Sequence, residues 1–216
     1  LIRWGTPSRI VASVRESDTP SPLHTDVPVT GHEDGESIAG VVIRHTPGHT
    51  CGHLAIQAEE KLYVGDAVLP MYTPNVGGSD TRTYADNPLG TYLRTLDRIS
   101  DWDVDRTARP GHGSTVDLTE RIEATRQHHR ERVLNVVEAT PTTDPVTPWA
   151  VARELFGEMT GIHAKMGAGE AAAHLAYAAR LGFLEVVGDL PVTYRASEQS
   201  NDAVQQWCTN CEEANI

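Results

Sequence analysis

Lysine is nearly missing from this chain: Lys61 and Lys165 are the only two in 216 residues, and every other basic side chain is arginine. Basic residues number 18 against 30 acidic ones, a net charge of −12. Such an excess disfavours nonspecific attraction to nucleic acid or anionic membranes, which select basic surfaces. Abundant carboxylate with scarce lysine reads as the surface of a protein from a salt-rich, halophilic cytoplasm, where salt screens the mutual repulsion. Cysteine is also scarce, at Cys51, Cys208 and Cys211. Three thiols build no disulfide framework, so a reducing, cytoplasmic location is expected. Cys208-Thr-Asn-Cys211 has the spacing of half a zinc knuckle, but no second pair accompanies it, which argues against a metal site there. No apolar run is long enough to span a bilayer, and the start carries no signal-peptide pattern. The chain opens on Leu1 rather than Met, and a processed or truncated start is expected.

Against these absences stands ordinary globular patterning, with 39% hydrophobic residues. Residues 18–38 read as loops with at most short strands. Short strands are predicted at 41–44, 53–57 and 62–64, separated by Pro47-Gly48 and by the polar 59–61. Leu89, Tyr92, Leu93, Leu96 and Ile99 recur at helical spacing within a helix predicted over 87–102. A strand near 104–108, a turn at 110–113 and a helix over 118–138 follow. The Thr- and Pro-rich stretch 139–148 reads as a linker. Helices at 149–156 and 168–181 and a hairpin over 183–194, turning at Gly188-Asp189, then have the pattern of a small winged-helix domain. From 197 to 216 the chain is polar and is expected to fray.

Three short pieces carry chemistry: Thr46-Pro-Gly-His49-Thr50, Gly65-Asp66-Ala67 and Arg109-Pro-Gly-His112-Gly113. Each sets a potential metal ligand just beyond a predicted strand. Glycine beside the ligand lets the backbone bend and lets a cation approach. Imidazole and carboxylate are suitable zinc ligands, and a carboxylate can bridge two cations. Taken singly, a His after a turn or a Gly-Asp pair signals little; the order and context of all three are more specific.

The run His45-Thr-Pro-Gly-His49-Thr-Cys-Gly-His53, then Leu62-Tyr-Val-Gly-Asp66, then Pro110-Gly-His112-Gly resembles the second half of the metallo-β-lactamase superfamily over residues 25–125. The resemblance implies an αββα sandwich with metals at one sheet edge. It implies that His49 completes one metal site, that His112 completes the other, and that Asp66 bridges both and takes part in catalysis. Two Zn²⁺ ions would sit in an intact protein, with a bridging hydroxide attacking an ester, thioester or phosphodiester, and a small-molecule substrate is the expected partner. His53 and His45 are expected to face elsewhere by strand alternation and to take supporting roles at most. Cysteine stands at the Asp66 position in many true zinc β-lactamases, so Asp66 points to the broader hydrolases. The short interval from Asp66 to His112 leaves no room for a large nuclease cap, although a small endoribonuclease remains compatible.

The family's His-x-His-x-Asp-His motif does not occur in the sequence, and it is expected upstream of Leu1. The chain thus divides into 1–138, the C-terminal part of a metallo-β-lactamase-like domain; 139–196, a winged-helix-like domain; and the 197–216 tail. The long helix with His128-His129-Arg130, with Ala172-Ala-His174-Leu175 and Leu181-Gly182 further on, is similar to a branch of lactamase-like hydrolases with a C-terminal winged helix. His174 is read as a packed helix histidine. Two readings compete with a zinc hydrolase: a nucleic-acid-binding winged-helix protein, and an inactive truncated chain. Against nucleic-acid binding, the seven arginine and lysine residues of 126–196 face eight acidic ones, so the basic stripe of a groove binder is missing.

Overall fold

The computed structural model describes residues 10–13, 29–77, 87–104 and 106–213; much of the 18–38 loop region lies outside them. The fold is mixed α/β. A parallel pair, β1 (Ile10–Ser13) and β2 (Val29–His32), precedes one six-stranded sheet. That sheet runs in chain order: β3 (Ser37–Ile38), β4 (Val41–His45), β5 (Leu54–Ala58), β6 (Lys61–Gly65), β7 (Thr107–Pro110) and β8 (Val116–Asp117). Every neighbouring pair is antiparallel except β6 and β7. Strands β4, β6 and β7 therefore point the same way and end at the same edge. This shared direction brings three distant loops together.

Alternation drives the sheet. In β6, Leu62 and Val64 are fully buried while Lys61 and Tyr63 face out. The parallel step from β6 to β7 requires a crossover, and α1 (Pro88–Asp101) supplies it. Asn87 caps that helix by accepting from the Gly90 N–H at 3.0 Å, and Pro88 occupies its first turn, where no N–H is needed. Leu89, Tyr92, Leu96 and Ile99 form its fully buried stripe. Helix α2 (Leu118–Glu138) starts from an Asp117 cap and buries Leu118, Ile122, Thr125, His129, Val133 and Val136 at three- and four-residue steps.

The C-terminal part holds α3 (Pro148–Phe156), α4 (Gly161–Arg180), the hairpin β9 (Leu184–Asp189) and β10 (Val192–Ala196), and α5 (Ser200–Glu213). Val146 bridges Tyr194 with two 2.9 Å backbone bonds, which ties the 139–148 stretch to the hairpin. Three expectations need correction. Helix α4 begins seven residues before the predicted start, because Gly167 and Gly169 weaken the helical signal. Gly167 packs against the end of the Met159 side chain. The hairpin reverses at Leu190-Pro191, not Gly188-Asp189, which pair within the ladder with Thr193 and Val192. The tail does not fray up to Glu213; it forms α5. Val204 is fully buried and the Trp207 ring lies 5.7 Å from that of Phe183. Val204, Trp207, Cys208 and Cys211 form a sparse stripe at helical spacing within a polar segment. No helix among the described residues is long and apolar enough to cross a membrane.

Candidate metal centre

The edge where β4, β6 and β7 end carries all three predicted ligands. The loop after β4 closes on itself, with Thr46 N–H donating to His53 O at 2.9 Å and Gly48 N–H to Thr50 O at 3.1 Å. Thr95 of α1 donates to Pro47 O at 2.7 Å. Gly48 has φ +145°, and a Cβ there would collide with the Tyr92 backbone and ring at 2.6–2.7 Å. Only glycine lets this loop lie so close against α1.

His49 emerges from that loop. Its Nδ1 lies 3.0 Å from Asn75 O, and a carbonyl only accepts, so Nδ1 carries the proton. The lone pair therefore sits on Nε2, which lies 3.9 Å from Asp66 Oδ2. On the other side, His112 Nε2 lies 3.6 Å from Asp66 Oδ1. Gly111 N–H donates to Gly65 O at 2.7 Å and fixes the two strand ends to each other. A Cβ at Gly111 would stand 2.3 Å from Asp66 Oδ1.

Both imidazole–carboxylate gaps are too long for hydrogen bonds. They suit shared cations: two donors, each about 2.0–2.2 Å from one ion, lie at most ~4.4 Å apart. One carboxylate with an imidazole turned to each of its oxygens is the donor set that a pair of divalent cations takes. The structure thus brings His49, Asp66 and His112 together.

His53 corrects the alternation argument. It lies just before β5, not within it, and its Nε2 accepts the Asp66 N–H at 2.9 Å. Its Nδ1–H therefore donates to Thr46 Oγ1, 2.6 Å away. Burial, and next the neighbouring His49, hold its pKa down to about 4, so the ring stays neutral and braces the Asp66 backbone. Gly65, at φ +54°, leaves room for it; a Cβ there would meet His53 Nε2 at 2.7 Å. His45 does point away, its Nε2 2.9 Å from His32 O.

A second grouping had no place in the sequence reading. His128, His129 and Glu170 each offer one ligand-type atom, all within 4.8 Å of one another. His128 and His129 are adjacent in the sequence and were visible as a pair, but Glu170 is 41 positions beyond His129 and nothing local links it to them. Glu170 Oε2 also accepts from Asn75 Nδ2 at 3.0 Å and from Val76 N–H at 3.3 Å. His174 is a packed helix residue, fully buried, with Nδ1 donating to Glu170 O at 2.8 Å.

The model of the metallo-beta-lactamase superfamily matches residues 2–112, a span that holds all three converging residues. The chain belongs to the metallo-β-lactamase superfamily. A metallo-β-lactamase family protein from Thermus thermophilus is 32% identical with a TM-score of 0.65, over 79% of this chain and 56% of that one. A β-lactamase domain protein from Burkholderia ambifaria is 28% identical with a TM-score of 0.66, over 78% of this chain and 52% of that one. The chain therefore spans about half the length of these superfamily members. No curated protein matches it.

Proposed function

We propose that this chain is part of a divalent-metal-dependent hydrolase, with zinc as the expected metal, in which His49, Asp66 and His112 would hold the cations, with the Asp66 carboxylate shared between them. The observation that carries this is the geometry around Asp66: imidazole Nε2 atoms at 3.9 and 3.6 Å from its two oxygens. Cations held there would supply an activated water and a Lewis acid for an ester, thioester or phosphodiester. Asp66 sets the spacing of the two sites, and His53 holds the Asp66 backbone in place. Asn75 O keeps the His49 lone pair turned inward. His112, with two thirds of its side chain exposed, faces the side from which a small-molecule substrate would arrive. The C-terminal helices and hairpin are read as a winged-helix-like unit that packs against the hydrolase domain and does not grip nucleic acid.

Metal uptake tests this reading. Zn²⁺ or Co²⁺ titrated into the protein should bind, and Asp66→Ala should remove that binding. His49→Ala and His112→Ala should each weaken it by an order of magnitude or more. Metal-dependent turnover of a generic ester or of bis(p-nitrophenyl) phosphate by the longest natural form of the protein should vanish in the Asp66 variant. Uptake by Asp66→Ala equal to that of the unaltered protein would overturn the assignment.

A further inference from the structure

The loop through residues 69–77 connects the candidate metal centre to the C-terminal helices. At one end, Asn75 O takes the His49 Nδ1 proton. At the other, the same residue's Nδ2 donates to Glu170 Oε2 at 3.0 Å and approaches Met166 O at 3.4 Å. The next residue, Val76, gives its N–H to that same carboxylate oxygen. The residue after it, Gly77, has φ +82° and lies so close to α4 that a Cβ would meet Gly169 O at 2.6 Å. The peptide that holds His49 is thus pinned by one buried carboxylate, with 8% of the residue exposed. A single carboxyl oxygen has two lone pairs and accepts both donors at once, as an amide oxygen at the same place can.

We infer that Glu170 is a positioning residue: by clamping Asn75 and Val76 it fixes the carbonyl that sets the His49 tautomer, so α4 of the C-terminal part takes part in shaping the metal centre. The inference rests on His49 being a metal ligand. It differs from a merely structural role for Glu170, because it specifies the protonation pattern of an imidazole that Glu170 does not touch. Partners one layer behind a ligand typically change metal affinity about 10–100-fold when removed.

The test uses ¹⁵N-detected NMR of the histidine rings in metal-free protein, paired with Co²⁺ titration of the same samples. In the unaltered protein His49 should be the Nδ1–H tautomer. Glu170→Ala should give a mixture of tautomers and about tenfold weaker Co²⁺ binding. Glu170→Gln, which keeps an acceptor oxygen, should recover most of both. If Glu170→Ala does not fold, Asn75→Ala removes the side-chain link alone and should shift both readouts the same way. Val151→Ala, a core truncation in α3, is the control for general loosening and should leave both unchanged. Unchanged tautomer and affinity in the Glu170 and Asn75 variants, or equal changes in Val151→Ala, would overturn the inference. Failure of the underlying reading looks different: there, His49→Ala itself would retain full Co²⁺ affinity.

Discussion

At the scale of single residues, the site depends on atoms that are not ligands. Gly111 shows this most sharply. Its missing Cβ is what leaves Asp66 Oδ1 in place, since an added methyl would stand 2.3 Å from that oxygen. The backbone there can hold alanine, because the φ of Gly111 is not in the left-handed region. Gly111→Ala should therefore fold with a melting temperature within a few degrees of the parent, yet lose at least tenfold in Co²⁺ affinity as Asp66 is pushed aside. Equal affinity would mean that Asp66 has freedom to move and that its observed position carries no meaning. The three converging residues, His49, Asp66 and His112, were legible in the sequence because each sits in a local signature, a turn or a glycine at a strand end. Asn75 and Glu170 were not. Their link spans 95 positions and leaves no local pattern.

Elements were legible where their own periodicity was strong. Helix α2 occupies 118–138 as predicted, and α1 differs only by its caps. Failure came where packing, not pattern, decides structure. Helix α5 is mostly polar and is held by a few contacts: Val204 fully buried and Trp207 against Phe183. If these contacts define the helix, Val204→Asp should cost several kcal/mol, because it buries a charge in an apolar site. Trp207→Ala should cost about 2–3 kcal/mol, somewhat less than a fully buried aromatic because its ring is only partly covered. Urea denaturation of the two variants measures both. A frayed tail would leave the midpoint unchanged. The glycines of α4 teach the same point: Gly167 lowers helix propensity yet packs against the end of the Met159 side chain, so tertiary packing overrides the local preference.

At the scale of the whole molecule, the packing of α1, α2 and α4 around two buried imidazoles makes stability depend on pH in a definite direction. His129 of α2 and His174 of α4 stack with ring centroids 5.2 Å apart, and Tyr92 of α1 meets His129 edge-on at 5.4 Å. His174 Nδ1–H is committed to Glu170 O, so its Nε2 accepts from His129 Nδ1–H at 3.0 Å. Both rings are therefore neutral. Burial holds His174 down to about 3 and keeps His129 well below the ordinary histidine value of 6.5. The unfolded chain takes up these two protons below pH 6.5 while the fold refuses them, so stability is full above that pH and falls as acid is added. Glu170 works the other way. Burial raises it to about 7 from an ordinary 4.5, so between those values the fold keeps a proton that the unfolded chain has lost, and this contribution declines as pH rises. Each proton of difference is worth ~1.4 kcal/mol per pH unit. From pH 6.5 to 4.5 these two histidines, joined by His53, which is held down to about 4, and by the lowered His128, outweigh the one carboxylate; below 4.5 the opposing effect ends and the loss steepens. Glu170→Gln should remove that opposition, and its stability should fall more steeply than the parent's, by ~1.4 kcal/mol per pH unit, between about pH 6.5 and 4.5. Urea titrations at about pH 7, 6, 5 and 4 measure the slopes. High constant salt is needed in each, so that relief of repulsion among the carboxylates behind the −12 charge does not mask them. Parallel slopes for parent and variant would show that Glu170 ionises in the fold as it does in water, and that the buried histidines alone set the acid limit.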